Sequence, residues 1–155
     1  MAKAKKSASK TRKADVEPIR MADGRVEAFT RLAERIAGGE AVVPPALLTC
    51  QARRERVRAT LREDHRARIE QQVHGAAIKF DGLAKSRFKF FRGTALLFYR
   101  DLVGEDDFAP SVMALGDVHP ENFGIMPDEN GAPIFGVNDF DETTYAPFTW
   151  DLKRG

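Results

Sequence analysis

Between residues 117 and 142 the chain sets out groups that move protons and hold hard cations. Asp117, His119, Glu121 and Asn122 crowd into six positions, directly after the apolar run Val112-Met113-Ala114-Leu115 and Gly116. Asp139, Asp141 and Glu142 follow in the stretch Asn138-Asp139-Phe140-Asp141-Glu142. Gathered carboxylates repel and raise one another's pKa, a cost that a divalent cation cancels. Magnesium takes a few carboxylate or amide oxygens and keeps water or substrate phosphates at its other positions. An Asp, an Asn and a second Asp suit it. With one His and no Cys, the region suits zinc less well.

The two acidic clusters need an element to bring them together. Residues 123–127 and 133–137 read as strands around Asp128-Glu129-Asn130-Gly131. Asn-Gly predicts a hairpin with a type I′ turn, in which both residues take positive φ. Cross-strand neighbours lie about 5 Å apart. The open ends of such a hairpin would place the 117–122 loop beside Asp139-Phe140-Asp141.

The order Asp117, Asn122, hairpin, Asp139 matches kinase-type phosphoryl transfer. There a loop Asp accepts the attacking hydroxyl's proton, an Asn five positions later holds metal, and a later Asp bridges metal to phosphate. On that template Asp117 is the base and Asn122 and Asp139 are metal ligands. His119 orients the loop, and Asp141 and Glu142 bind further metal or fix the site. The ordinary alternative is loop chemistry, since Asx residues favour turns through local hydrogen bonds.

Positive charge for a phosphate is sought in KSRFKFFRGTALLFYRDL, residues 85–102. Lys89 and Arg92 are the candidates there. Arg92 paired to a carboxylate in a packed segment is the structural alternative. Leu96, Leu97, Tyr99 and Leu102 predict a buried helix after the Arg-Gly turn. Upstream, Val26, Phe29, Leu32, Ala33 and Ile36 predict a helix that Gly38-Gly39 ends in a left-handed cap. Residues 46–77 read as one long helix or two joined ones, with Val57, Leu61, Ile69 and Val73 as its apolar stripe. His65 and His74 read as packing residues. Trp150 reads as a core anchor, and Asp151 as a partner for Arg92 or Lys153.

The chain of 155 residues is long enough for one modest domain, and 43% hydrophobic content gives it a core. Residues 1–20 are Lys-, Ser- and Ala-rich and predict a disordered basic tail, leaving 21–155 as the folded part. That tail reads as a solubilising segment, the one part of the chain able to touch nucleic acid, which is otherwise not expected as a partner. Residues 14–100 carry 17 basic and 11 acidic side chains, a net of +6, and residues 101–155 carry 2 and 12, a net of −10. The last third is therefore suited to a cation and the middle third to an anion. No run approaches the roughly 18 apolar residues of a membrane span. The single Cys50 excludes an internal disulfide and points to a reducing, cytoplasmic setting.

FFRGTALLFYRDL, GDVHPENFG and NDFDETTYAPFTWDLKR together resemble the signature of a bacterial family known as domain of unknown function 2252. The Gly-Asp-x-His-x-x-Asn…Asp-Phe-Asp core is also similar to that of aminoglycoside and choline phosphotransferases. The resemblance implies an α+β fold: a helical N-terminal half followed by a β-hairpin site, a partial protein-kinase-like arrangement. It implies Mg²⁺ and ATP as cofactors and a small-molecule hydroxyl or amine as acceptor. Members of the family are longer, so 21–155 is expected to be the N-terminal portion of a truncated domain. Two other functions stay open. One is a non-catalytic remnant. The other is a metal-dependent hydrolase using Asp117, His119 and Asp139 on a bound water.

Overall fold

A computed structural model describes residues 21–40 and 42–155. The expected tail, 1–20, lies outside the described residues. The fold is α+β with the helices first. Helix α1 (Arg25–Ala37) ends at Gly38, and Gly39 takes φ 62° in the expected left-handed position. Helix α2 (Cys50–Asp64) starts at Thr49, whose hydroxyl accepts the Ala52 N–H at 3.2 Å. Helices α3 (Arg66–Gln71) and α4 (Val73–Lys85) follow. Residues 46–77 therefore form neither one helix nor two, because the chain breaks at both His65 and Gln72.

The inward face of α2 is also not the expected stripe. Val73 is 71% exposed, whereas Thr60, Glu63, Asp64 and His65 are buried. These polar groups are tolerated because each carboxylate has partners. Glu63 accepts the Ala22 N–H at 2.9 Å and meets Arg100 at 2.5 Å. Asp64 accepts from Arg25 at 3.0 Å. His65 packs against Phe80, as expected of a packing residue, but His74 is exposed.

Helix α5 (Arg87–Arg92) is capped by Ser86, and after Gly93 the buried helix α6 (Ala95–Leu102) begins. Strand β1 (Ser111–Ala114) pairs antiparallel with β4 (Thr144–Pro147), Ala114 opposite Thr144. Between them lies the hairpin β2 (Phe123–Pro127) and β3 (Pro133–Val137), with Phe123 opposite Val137. The strand positions agree with the sequence, but the turn is of another kind. Only Gly131 has positive φ, at 81°, and Asn130 does not. Asp128 closes the turn, accepting the Asn130 and Ala132 N–H groups on Oδ1 and the Gly131 N–H on its carbonyl. Helix α7 (Thr149–Arg154) completes the fold. The core joins α1, α6, both strands of the β1–β4 sheet and α7 through Leu32, Leu96, Tyr99, Ala114, Ala146 and Trp150. Trp150 is the anchor the sequence suggests.

Candidate functional site

The Asp117 loop is held by α7. Asp151 accepts the Leu115 and Gly116 N–H groups at 2.7 and 3.1 Å, one on each carboxylate oxygen. Asp151 thus pairs with backbone, not with Arg92 or Lys153. Arg92 instead meets Glu121, and Lys153 meets Glu105 and Asp106. Gly116 sits at φ 89°, and a Cβ there would lie 2.4 Å from the Glu142 carbonyl oxygen. Glycine is required by both the dihedral and the contact.

Asp117 follows, and three groups surround it. Arg154 donates to its Oδ1 at 2.9 Å and to the Phe91 carbonyl at 2.7 Å. The same guanidinium is buried over the rings of Phe91 and Phe98, 4.3 and 5.2 Å from their centroids. His119 places Nε2 3.1 Å from Asp117 Oδ2, outside hydrogen-bond alignment, and its buried ring stands edge-on to Phe88. Asn122 donates Nδ2 to the Asp117 carbonyl at 2.9 Å, closing the loop.

In front of Asp117 lies a cavity of about 430 Å³. Arg25 comes from α1, Lys79 from α4, Lys89 and Arg92 from α5, and Asp117 and Glu142 from the loops. Four cations therefore face two carboxylates. Burial works against the charge on Arg25, but Asp64 and Glu142 more than offset it and its pKa is raised. Burial pushes Lys79 down, with Arg68 and Arg25 adding to the effect against Asp64 and Glu142. Neither Lys79 nor Lys89 has an ion-pair partner among the described residues. Burial pushes the Glu142 carboxyl up to about 7, with Arg25 opposing and Asp117 and Asp64 reinforcing. Its Oε1 accepts from Arg25, and its buried Oε2 has no partner among the described residues.

Of the residues singled out by sequence, Lys89, Arg92, Asp117 and Glu142 meet at this cavity. His119 stands behind Asp117. Asn122 lies at the hairpin mouth, where the Asn138 N–H donates to its carbonyl at 2.9 Å, and Asp139 is the next residue along the chain from Asn138. Asp139 is exposed, and its Oδ1 accepts the Asp141 N–H at 3.2 Å. Asp141 lines a separate cleft with Phe29 and Tyr145. Among the described residues, no three His, Cys, Asp or Glu converge as a metal centre.

Sequence reasoning missed Arg25, Lys79 and the clamp of Arg154 on Asp117. Arg25 and Lys79 are single charges on helices whose neighbours carry many others, so nothing local marks them. The Trp-Asp-Leu-Lys-Arg segment was a usable signal for Arg154.

The family model described as an uncharacterized protein conserved in bacteria (DUF2252) matches residues 68–155, more than half of the chain. No curated protein and no solved structure matches the chain. The matched span takes in α4 and everything after it, hence Lys79, Lys89, Arg92, Asp117 and Glu142, but not Arg25 on α1.

Proposed function

The chain belongs to the DUF2252 family of bacterial proteins, and from that premise we propose that it serves ATP-dependent phosphoryl transfer to a small hydroxyl or amine acceptor. The observation that carries this reading is the cavity, which Lys79 and Lys89, without ion-pair partners among the described residues, line together with Asp117. Such a site favours a polyanion beside a proton acceptor. Lys79, Lys89 and Arg92 take the phosphate oxygens. Asp117 accepts the acceptor's proton as its oxygen or nitrogen bonds the terminal phosphorus and the bond to the departing diphosphate breaks. Arg154 keeps the carboxylate aimed. A partial kinase-like fold belongs to the same proposal.

Magnesium requires only one or two protein ligands when substrate phosphates complete its sphere. Asn122 and Asp139 are of that donor class. The Asn122 nitrogen is spent on the Asp117 carbonyl, which leaves Oδ1 as its ligand end. The ion would neutralise phosphate charge there. A three-carboxylate cage is not part of the proposal, since no three such groups converge among the described residues.

A thermal-shift series with Mg²⁺, ATP and both together tests the reading, since a ligand of the folded state raises Tm. The expected result is a larger shift with both than with either. Asp139→Asn should abolish the joint shift. Asp117→Asn should keep it while losing phosphoryl transfer. A folded sample that responds to no combination overturns the proposal, and phosphate-ester cleavage without nucleotide reassigns the site to hydrolysis.

A further inference from the structure

One loop and one groove are left unused by the site. The loop, residues 104–110, follows α6. It is firmly built: Asp106 takes φ 60°, rare for a non-glycine. Its carboxylate accepts from the Thr149 hydroxyl at 2.6 Å and from Lys153 at 2.7 Å, and the Trp150 indole N–H donates to the Glu105 carbonyl at 3.2 Å. This scaffold holds Phe108 outward, 88% exposed, beside Asp107, which has no ion-pair partner among the described residues. A bare phenyl ring on a pinned loop does not relax inward, so its exposure is a standing cost in water.

The groove runs between α2, α3 and α4. Leu61, Ile69, Val73 and Phe80 line about 370 Å³ of almost wholly apolar space. Arg58 and Arg62 border it, one helical turn apart, exposed and without ion-pair partners among the described residues. Like charges at that spacing disfavour the helix that carries them.

We propose that the Phe108 loop of one copy of the chain docks in the α2–α4 groove of a second copy. The phenyl ring fills the apolar space and Asp107 meets Arg58 and Arg62. The argument is complementarity: an apolar knob with an acidic collar faces an apolar hole with a basic rim, and both lie on the same chain. The acidic collar disfavours anionic membranes and nucleic acid as partners for Phe108. The contact is heterologous, joining different surfaces of the two copies. It is independent of the proposed phosphoryl transfer.

Sedimentation of the full chain over a concentration series tests it. Self-association that weakens as salt rises is expected. Phe108→Ser, and separately the double change Arg58→Glu with Arg62→Glu, should each weaken it about tenfold or more with unchanged circular dichroism. The two variants mixed should form a 1:1 complex, because one keeps the groove and the other keeps the loop. A wild-type chain that stays monomeric up to about 1 mM, variants that associate as wild type does, or a mixture that stays monomeric each overturn the proposal. So does Phe108-dependent flotation with phosphatidylcholine vesicles in a chain that sediments as a monomer.

Discussion

The β1–β4 sheet and the β2–β3 hairpin each have two strands, yet they hold their loops by different means. Ala114 and Ala146 of the first are wholly buried, and the loop leaving β1 is tied by its amides to Asp151 and by Asp117 to Arg154. The second leaves Ile125 74% and Phe135 70% exposed, and is held by its own ladder and the Asp128 turn. Positions tied to distant elements should therefore be sensitive to substitution, and positions tied only locally should not. In the Asp117 loop the ties come from α5 and α7; in the hairpin they come from its own ladder and turn.

The largest contrast is expected between two arginines. Arg154→Ala strips a buried guanidinium from Asp117, the Phe91 carbonyl and two rings. Removing one partner of a buried pair costs about 3–5 kcal/mol, because the other charge stays desolvated. Arg92→Ala breaks its pair with Glu121, both side chains being about half exposed. That loss should be about 0–1 kcal/mol. Urea unfolding of both variants measures the difference, and equal losses would break the comparison.

Two glycines share a left-handed conformation in the two regions and form the next test. Gly116→Ala adds a Cβ 2.4 Å from the Glu142 carbonyl at φ 89°, so backbone must shift. The expected loss is about 2–4 kcal/mol, from the dihedral and the overlap together. Gly131→Ala meets nothing within 4 Å at φ 81° and carries the dihedral cost alone. That is about 1 kcal/mol. A Gly131 variant as unstable as the Gly116 variant would show that the hairpin turn is pinned by more than itself.

Glu142 gives the comparison a pH axis. Burial raises its carboxyl from 4.5 to about 7 in the folded chain. Between those values the unfolded chain releases this proton while the folded one keeps it, so unfolding is favoured as pH rises. The contribution is fully present below pH 4.5 and is lost as pH passes 7. The loss is about 2 kcal/mol after allowance for Arg25 and partial exposure. Glu142→Gln removes the titration, so its stability relative to wild type should climb from pH 4.5 to 8. Parallel pH profiles for the two chains would remove the burial argument.

The same division explains what the sequence made legible. The hairpin was readable because its signals, Asp128 through Gly131 between apolar runs, sit within fifteen residues. Only the turn type differed, since Asp128 rather than Asn130 does the bonding. Strand β4 was not readable, because Thr144–Pro147 pairs with residues thirty or more positions earlier and lacks alternation of its own. Likewise Lys89, Arg92 and Asp117 stood out by local motif and do share a cavity. Arg25 and Lys79 reach that cavity only through the packing of α1 and α4, and the charges buried on α2 at Glu63 and Asp64 stand where periodicity points to Val57 and Leu61. The break at His65 has no Gly or Pro to announce it.

The smallest effect is predicted at Ile125. Its side chain lies in the exposed row of the hairpin across from Phe135, and only the Phe123 and Phe135 rings stack there, 6.0 Å apart. Ile125→Thr keeps a β-branched residue, so strand preference and register survive. Little apolar area returns to water, because most of it is already there. Urea unfolding at low protein concentration should place the variant within about 0.5 kcal/mol of wild type. A loss above about 1 kcal/mol would mean that this face is covered in the folded chain. The hairpin would then owe its stability to distant contacts, as the β1–β4 sheet does, and the contrast between the two regions would be one of degree.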